Sequence, residues 1–396
     1  MQYRKDRYGN DVSILGYGCM RFSKKAGKIE YEKTEHEILH AIDSGVNYFD
    51  TAYIYGGSEE CLGRILSENN VRDKVKIATK LPQYLINKVN SIEKYFSEQC
   101  RRLRTDHIDY YLMHMLTDIK AWNNLVELGI KEWIADKKES GKIGQIGFSF
   151  HGNSEMFLKI LNAYDWDFCQ IQYNYLDEHT QAGREGLLAA AAKGIPVIIM
   201  EPLRGGKLVN MLPEKAMKRI NGYSIKRSPA EWAFRWLWNQ KEVTCVLSGM
   251  NSMEMLDENL MIADNCMEDE FTSDDFKLIE DVKNAINEKV RVSCTGCGYC
   301  MPCPKNVDIP GAFRCYNRMF TEKKSSGRLE YAQVVSMKEE PVFPSQCIEC
   351  GKCEMHCPQH IEIRKKLKEA KKALMPFPYN VIIKTARKFM INKKRK

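Results

Sequence analysis

The sequence predicts an α/β protein, a (β/α)8 TIM barrel followed by a small, mainly helical, cysteine-rich domain. Within the first 270 of the 396 residues, short apolar runs alternate with amphipathic stretches eight times, as parallel strand–helix units do. No GxGxxG turn follows the first apolar run, which favours a barrel over a doubly wound dinucleotide-binding sheet. Two tight cysteine runs then lie within residues 294–357 and indicate a second domain.

The apolar runs and the turn residues between them define the predicted elements. We predict strands at VSILGYG, VNYFD, VKIAT, IDYYLM, IGQIGFS, FCQIQY, PVIIM and TCVLSG. Helices are predicted at TEHEILHAIDSG, SEECLGRILSE, VNSIEKYFSEQCRRL, IKEWIADKKESG, NSEMFLKILNA, REGLLAAAAKG, SPAEWAFRWLWNQ and SMEMLDENLMIAD. Ser58 and Ser228 suit helix N-caps, and three glycines suit C-caps: Gly45, Gly141 and Gly194.

Composition and charge exclude several classes of protein. No apolar run reaches the roughly 18 residues that span a bilayer, and the polar N-terminus lacks the apolar region of a signal peptide. We therefore expect a cytoplasmic protein with no transmembrane segment. The net charge is +8, but residues 361–396 alone carry +11, so the basicity belongs to the C-terminal tail. No nucleic-acid-binding fold accompanies this charge, so we expect no nucleic-acid partner.

Polar residues end several of the predicted strands, where a TIM barrel places its catalytic groups. Asp50 ends the second strand and Tyr55 follows it, while Lys80 ends the third strand and His114 the fourth. Three further polar residues belong to later strands: Ser149, Gln170 and Ser248. A loop tyrosine or a strand histidine alone is usually a packing residue. Four groups that form a proton-transfer set at one rim instead indicate chemistry.

The chemistry of this set is protonation of a carbonyl oxygen. A tyrosine hydroxyl titrates near 10, which is too high for an efficient acid at neutral pH. A nearby lysine ammonium favours the phenolate and lowers that pKa, and a carboxylate such as Asp50 would hold Lys80 charged and in place. His114 can hydrogen-bond the carbonyl oxygen and orient it. Tyr55 could then protonate this oxygen while another group attacks the carbon.

The stretches that carry these residues resemble the aldo-keto reductase superfamily over about residues 1–265. NYFDTAYIYGGSE is similar to its Asp-Thr-Ala-x-x-Tyr-Gly signature, and KIATK and YYLMH match the segments with its lysine and histidine. The resemblance implies a nicotinamide cofactor, NADP or NAD, that delivers hydride to a small carbonyl compound. It makes Tyr55 the proton donor, Lys80 the residue that tunes its pKa, Asp50 the partner of Lys80, and His114 the orienting residue.

The same resemblance implies a set of cofactor-binding residues. They are Ser149 and Gln170 at the carboxamide, then Met200, Leu203, Gly205, Lys207, Ser248, Gly249, Asn251, Glu258 and Asn259. Many members place an aromatic ring where Met200 stands. NADPH-specific members place Lys and Arg against the 2′-phosphate, but residues 248–259 contain neither. NADH therefore stays open beside NADPH, with Arg204 and Lys207 as the cations that could compensate.

The two cysteine runs have the spacing of iron–sulfur ligands. The second run reads C-x2-C-x2-C-x3-C-P, the spacing of a 4Fe–4S ferredoxin half, and the first is one residue shorter before its last cysteine. We predict two 4Fe–4S clusters. The eight ligands are Cys294, Cys297, Cys300, Cys303, Cys347, Cys350, Cys353 and Cys357.

Ligand sharing and zinc are the open points of this prediction. In two-cluster ferredoxins the fourth cysteine of each run binds the other cluster. That rule would join Cys303 to the second run and Cys357 to the first. Zinc is the alternative reading of paired CxxC steps, but zinc needs four ligands and no third step. Some 43 residues of helical pattern separate the runs, which is typical of a helical ferredoxin type.

The cysteine blocks resemble those of aldo-keto reductases that carry a C-terminal ferredoxin-type domain. We divide the chain into a barrel at 1–270, a 4Fe–4S domain at 285–375 and a basic tail at 376–396. The tail is either a solvated end or a basic amphipathic helix that docks an acidic electron carrier or an anionic surface.

Three functions follow from these two parts. Nicotinamide gives two electrons as hydride and a cluster takes one, and no signature of the flavin that normally converts between them is present. The preferred function is a nicotinamide-dependent reductase of a small carbonyl compound. The alternatives are an electron-transfer protein that links a ferredoxin-type donor to the barrel site, and a non-catalytic nicotinamide-binding redox sensor.

Overall fold

The structure is a computed structural model that describes residues 1–294, 296, 298, 300–336, 342–357, 360–383, 385 and 387. The chain divides into two compact units. The first comprises Met1–Gly205 and Arg227–Thr272, and the second comprises Gly206–Lys226 and Ser273–Lys396.

A closed parallel barrel forms the first unit and confirms the predicted fold class. The strands of the described residues are β1 Tyr3–Lys5, β2 Asp11–Ser13, β3 Leu15–Gly18, β4 Lys24–Lys25, β5 Lys28–Ile29, β6 Tyr48–Asp50, β7 Lys76–Leu81, β8 Ile108–Leu116, β9 Ile143–Phe150, β10 Phe168–Gln172, β11 Val197–Met200 and β12 Val243–Ser248. The barrel closes in the order β3-β6-β7-β8-β9-β10-β11-β12, and every neighbouring pair is parallel. The remaining strands form two short antiparallel hairpins, β1 with β2 and β4 with β5.

Helices follow the barrel strands and build most of the second unit. They are α1 Tyr31–Asp43, α2 Ser58–Glu68, α3 Val89–Leu103, α4 Ile119–Glu127, α5 Ile130–Glu139, α6 Ser154–Leu161, α7 Gly183–Ala192, α8 Lys207–Asn210, α9 Glu214–Gly222, α10 Pro229–Trp238, α11 Met253–Asn265, α12 Ser273–Asn287, α13 Ile309–Thr321, α14 Lys324–Glu330, α15 Lys352–Met355 and α16 Ile363–Leu374. No helix in the described part of the chain is long and apolar enough to cross a membrane.

The first predicted strand, VSILGYG, is wrong as a single element. Its start belongs to β2, which pairs antiparallel with β1, and only its end belongs to the barrel as β3. Ile14 separates the two, and its N–H donates to the carbonyl oxygen of Gln2. The apolar run is continuous because both pieces are buried, so periodicity alone did not reveal the break.

Helix caps follow the predicted chemistry in one case and depart from it in another. Ser228 is confirmed as the N-cap of α10, because its Oγ accepts from the N–H of Glu231 at 3.0 Å. Ser58 is wrong as an N-cap: Gly57, at φ 80°, holds that position. The Ser58 hydroxyl instead donates to the carbonyl oxygen of Cys19 at 2.9 Å, so it ties α2 to the loop after β3.

Aromatic side chains fill the barrel interior and leave its polar groups at one end. Tyr48, Tyr110 and Phe168 pack edge to face, with ring centroids 5.0 and 5.1 Å apart. They belong to an apolar cluster that includes Ile198 and Cys245. Tyr48 lies two residues before Asp50 on β6, so the polar ends of the strands begin directly beyond this apolar layer.

The second unit has its own apolar core around α13 and α16. Val307, Phe313, Tyr331 and Leu367 are buried there, and six of the predicted ligand cysteines pack against this cluster. Residues 379–383 of the predicted tail are helical, and most of the later tail lies outside the described residues.

Candidate functional site

A buried ion pair forms the base of the polar end of the barrel. Asp50 ends β6, and Lys80 lies on the neighbouring β7. The Lys80 ammonium donates to Asp50 Oδ1 at 2.6 Å and to the carbonyl oxygen of Thr51 at 2.7 Å. Burial alone would lower the pKa of Lys80, but the groups around it, with the Asp50 carboxylate foremost, together raise that pKa. Lys80 is therefore charged.

Tyr55 lies above this pair in the loop between β6 and α2. The Lys80 ammonium is 5.1 Å from the centroid of its ring, and the His114 ring packs against it at 6.1 Å between centroids. Burial raises the pKa of Tyr55, and Lys80 opposes this without cancelling it. The expected lowering by lysine is thus present as one contribution, but the net pKa lies above the ordinary value. Tyr55 keeps its proton at neutral pH.

His114 stands beside a bulge in β8. The register of β8 against β9 shifts between Met113 and Leu116, and Met115 has φ 56°, a left-handed conformation that is strained for a side chain with a Cβ. Ser149 Oγ accepts the N–H of Met115 at 2.8 Å, so this hydroxyl supports the bulge. The sequence predicted Ser149 as a cofactor residue and gave no signal of this role.

His114 itself is buried and neutral. Its side chain is 4 % exposed, and within the described residues its Nδ1 has no hydrogen-bond partner. Burial, followed by the charge of Lys80, lowers the pKa of His114 well below its usual range. A buried imidazole nitrogen without a partner is costly unless a ligand satisfies it, which fits a site that receives a polar group.

A further network of hydrogen bonds connects the backbone of Lys80 to buried side chains of α2 and α3. Gln99 Nε2 donates to the Lys80 carbonyl oxygen at 3.2 Å and to Glu59 Oε1 at 2.8 Å. The Thr79 hydroxyl donates to the same Glu59 oxygen at 2.7 Å, and Arg102 lies 3.2 Å from the other. Burial raises the pKa of Glu59. This network was not predictable from the sequence, because its members come from three separate elements, α2, β7 and α3.

Gln170 contributes to the ion pair rather than standing apart from it. Its Nε2 donates to Asp50 Oδ2 at 2.9 Å, so both carboxylate oxygens of Asp50 have partners. The amide group is buried. Its predicted contact with a carboxamide could use the amide oxygen or the second N–H, since one N–H donates to Asp50.

The two cations that could compensate for the missing 2′-phosphate ligands are both engaged in ion pairs. Arg204 Nε lies 3.0 Å from Asp177 Oδ2, and both side chains are buried. Lys207 belongs to the second unit, where its ammonium pairs with Glu322. The turn after β11 is unusual, because Arg204 and Gly205 both have positive φ. The nearby Met200 and Leu203 are partly buried.

The end of β12 and the start of α11 hold most of the remaining predicted cofactor residues. Asn259 Nδ2 donates to Ser248 Oγ at 3.0 Å, and both side chains are buried. The carbonyl oxygen of Asn251 accepts from Ser23 at 3.0 Å. Glu258 accepts from the hydroxyl of Ser228 at 2.6 Å.

Arg21, which sequence analysis missed, lies across this part of the rim. A Cβ at Gly249 would lie 2.7 Å from Arg21 Cδ, and a Cβ at Gly205 would lie 2.8 Å from its guanidinium. The two glycines therefore leave the space that the arginine occupies. The guanidinium is 3.9 Å from Glu201 and half-exposed, so a cation that an anionic group could reach lies beside the two glycines. A basic residue in the loop after β3 was the available sequence signal.

The second unit brings cysteines of both runs around one cavity of about 150 Å³. Its lining includes Cys303 of the first run together with Cys347, Cys350 and Cys353 of the second. Cys300 also borders it, and Cys350 is exposed. Cys294 and Cys357 are half-buried and pack against the core of the unit, and Cys297 lies outside the described residues.

The donor set of this cavity fits a 4Fe–4S cluster. Thiols of both cysteine runs line it, and thiolates are the ligands that such clusters take.

Comparisons with known proteins agree with both units. The model of the aldo/keto reductase family matches residues 14–284, and the model of a 4Fe-4S dicluster domain matches residues 293–362. Two relatives are the uncharacterized oxidoreductase YrpG of Bacillus subtilis and the aldo-keto reductase yakc of Schizosaccharomyces pombe, whose name carries NADP(+). The first is 29 % identical over 54 % of this chain and 69 % of its own length. The second is 26 % identical over 51 % and 62 %.

Solved structures share the barrel fold. The holo form of aldo-keto reductase AKR11C1 from Bacillus halodurans has a TM-score of 0.60 at 23 % identity, over 71 % of this chain and 96 % of that one. An aldo/keto reductase from Klebsiella pneumoniae, solved in complex with NADP and acetate, has a TM-score of 0.58 at 20 % identity, over 71 % and 95 %. The family match covers more than half of the chain, so the chain belongs to the aldo/keto reductase family, with a 4Fe-4S dicluster domain C-terminal to the barrel.

Proposed function

We propose that this chain reduces a small aldehyde or ketone with NADH or NADPH, using Tyr55 as the proton donor. The observation that carries the proposal is the convergence of four groups at one end of the barrel. Asp50 and Lys80 are paired at 2.6 Å, and the Tyr55 ring lies within 5.1 Å of the Lys80 ammonium and 6.1 Å of the His114 ring.

Each side chain has a part that follows from its protonation state. Tyr55 keeps its proton because burial raises its pKa, so it can donate to a carbonyl oxygen. The charged Lys80 stabilises the phenolate left behind, and Asp50 keeps Lys80 charged and in place. The neutral His114 can hydrogen-bond the same oxygen and orient the carbonyl group. The nicotinamide, when bound, supplies the hydride.

The residues after β12 and in α11 favour NADH over NADPH, and Arg21 is the cation beside Gly249 that a 2′-phosphate would have to use. Arg204 and Lys207 are held by Asp177 and Glu322, and residues 248–259 provide no cation. The first two turns of α11 instead carry three acidic residues: Glu254, Asp257 and Glu258. A 2′-phosphate placed near them would be repelled, whereas a 2′-hydroxyl would not.

The second unit would hold two 4Fe–4S clusters, with Cys303 completing the ligands of the second run and Cys357 those of the first. Cys303 lines the same cavity as Cys347, Cys350 and Cys353, which supports the first half of this assignment, and Cys300 borders that cavity as well. We keep the division into a barrel at 1–270, a cluster domain at 285–375 and a tail at 376–396. Thiolate ligands persist in a reducing compartment, which favours a cytoplasmic location.

The test is a pair of tyrosine variants with the same chemical change. Tyr55→Phe removes the proposed donor, and Tyr84→Phe removes a hydroxyl whose ring also packs 6.1 Å from His114. We expect Tyr55→Phe to lower kcat for carbonyl reduction by about 10²–10⁴-fold and Tyr84→Phe to retain it within about tenfold. Iron content and cluster EPR signals should match the wild type in both. Turnover by Tyr55→Phe at the wild-type rate would remove Tyr55 from the mechanism.

A second candidate function is an electron-transfer protein that couples a ferredoxin-type donor to the barrel site. The exposure of Cys350, which would place one cluster at the surface, favours it. It requires turnover of the carbonyl substrate with a reduced carrier and no nicotinamide. The third hypothesis, a non-catalytic redox sensor, requires nicotinamide binding without turnover on any aldehyde or ketone.

A further inference from the structure

The edge of the cysteine cavity carries an exposed surface that the proposed carbonyl reduction does not use. We define this cluster-edge surface by Ile348, Cys350 and Met355 together with the two lysines beside them, Lys305 and Lys352. Ile348 is 57 % and Met355 is 76 % exposed, although both are large apolar side chains. Cys350, a predicted cluster ligand, is exposed between them along the chain. Both lysines line the same cavity and are exposed.

The charge of this surface is positive. The two acidic residues beside it are neutralised, because Lys368 lies 2.8 Å from Glu349 and Arg364 lies 2.7 Å from Glu354. Within the described part of the second unit, no acidic side chain pairs with Lys305 or Lys352. The two lysines therefore leave positive charge beside a solvent-exposed ligand thiol and the exposed apolar side chain of Ile348.

We propose that the cluster-edge surface docks an acidic one-electron carrier protein, which reduces the cluster held by Cys350. The inference rests on the cluster assignment of the proposed function. With a 4Fe–4S cluster held by these cysteines, one electron would pass from the reduced carrier to the cluster. The carrier leaves oxidised, and no bond or proton is transferred.

Three features favour this occupant. An exposed ligand sulfur gives the carrier the closest approach to the cluster. Opposite charges steer diffusional encounter and accelerate association by about 10–10³-fold, depending on ionic strength. A small apolar centre with a charged rim matches the small interfaces of transient electron-transfer complexes. The alternative role for Lys305 and Lys352 is only to offset the negative charge of the cluster and so raise its reduction potential.

The experiment measures cluster reduction by rapid mixing without oxygen and without nicotinamide. The probe is a pre-reduced acidic 2Fe–2S ferredoxin, and a reduced viologen serves as a small reductant without a docking surface. The test variant is Lys305→Glu with Lys352→Glu. The control carries the same change of charge at two exposed lysines that do not line the cavity, Lys277→Glu with Lys289→Glu.

We expect the second-order rate constant for ferredoxin to fall by about tenfold or more in the test variant and by less than twofold in the control. The wild-type rate should fall with added salt, and this dependence should weaken in the test variant. The viologen rate should not fall, because reduced viologen is a cation that the introduced carboxylates attract. Equal slowing with viologen would show that the lysines act on the cluster and would overturn the docking proposal. The proposal is also overturned if dithionite reduces the wild-type cluster but the reduced ferredoxin does not.

Two further outcomes would contradict this proposal, one in favour of a membrane surface and one against the cluster assignment. If Lys305→Glu with Lys352→Glu abolishes binding to anionic vesicles and leaves the ferredoxin rate unchanged, the surface belongs to a membrane and the proposal fails. A chain that binds no iron after reconstitution contradicts the cluster assignment, and the docking proposal with it. Carbonyl reduction by Tyr55 is measured separately and does not enter either result.

Discussion

Removing the ammonium of Lys80 leaves the Asp50 carboxylate buried with Gln170 as its remaining side-chain donor. At an effective dielectric constant of about 20, unit charges 2.6 Å apart attract by roughly 6 kcal/mol, and desolvation offsets part of this. Breaking such a pair typically destabilises a protein by about 3–5 kcal/mol. We expect this loss for Lys80→Met and a similar one for Asp50→Asn. The double variant should lose less than either single variant, because it leaves no unpaired buried charge.

Urea unfolding followed by tryptophan fluorescence measures these losses. All six tryptophans lie between residues 122 and 238 in the first unit, so the signal reports the barrel and not the cysteine unit. Lys159→Met is the control, because its pair with Glu155 is half-exposed at 2.7 Å and should contribute about 0.3–0.5 kcal/mol. The reasoning is refuted if Lys80→Met loses no more than Lys159→Met, or if the double variant loses the sum of the singles.

Four other predictions follow from the same structure. His114 has a lowered pKa in the folded chain, so below pH 6.5 only the unfolded chain binds a proton at this residue. The free energy of unfolding should therefore fall by up to about 1.4 kcal/mol per pH unit on acidification, and urea titrations of His114→Gln should lack this contribution. Ser149→Ala leaves the N–H of Met115 without its acceptor and should destabilise the barrel by about 1–3 kcal/mol, with a larger loss in kcat than in cofactor affinity. Ser149→Thr keeps the hydroxyl and should recover the stability and kcat. Cys350→Ala should lower the iron content by about four per chain, the content of one 4Fe–4S cluster, whereas Cys315→Ala, at a buried cysteine outside the runs, should not. NADH should give a kcat/KM at least equal to that of NADPH. A clear preference for NADPH would contradict the proposal that the acidic residues of α11 repel a 2′-phosphate.

The sequence predicted the barrel because each strand is buried on both faces and reads as a short apolar run. The same property hid the division between β2 and β3, since both are buried although only β3 joins the barrel. Ser58 was misassigned for a related reason. Its type suits an N-cap, but whether a hydroxyl caps its own helix or bonds another segment depends on tertiary contacts.

The candidate site was predictable where residue types sit at strand ends, as with Asp50 and Lys80. The bulge at Met115 was not, because left-handed backbone at a non-glycine residue has no sequence signature. Arg21 was missed because its relation to Gly249 and Gly205 joins three separate loops. The spacing of the two runs predicted cluster ligands, and the structure places Cys300 and Cys303 at one cavity with cysteines of the second run. Which cysteine crosses over stays a prediction.

Deuterium transfer tests the central claim most directly. Reduced nicotinamide carrying deuterium at its hydride position is mixed with the reconstituted chain and a carbonyl substrate, and the alcohol is examined by mass spectrometry. Hydride transfer assisted by Tyr55 predicts one deuterium on the former carbonyl carbon, and Tyr55→Phe should form almost none of this product in the same time. An alcohol that forms without deuterium would show that its electrons travelled through the clusters, and would contradict the account.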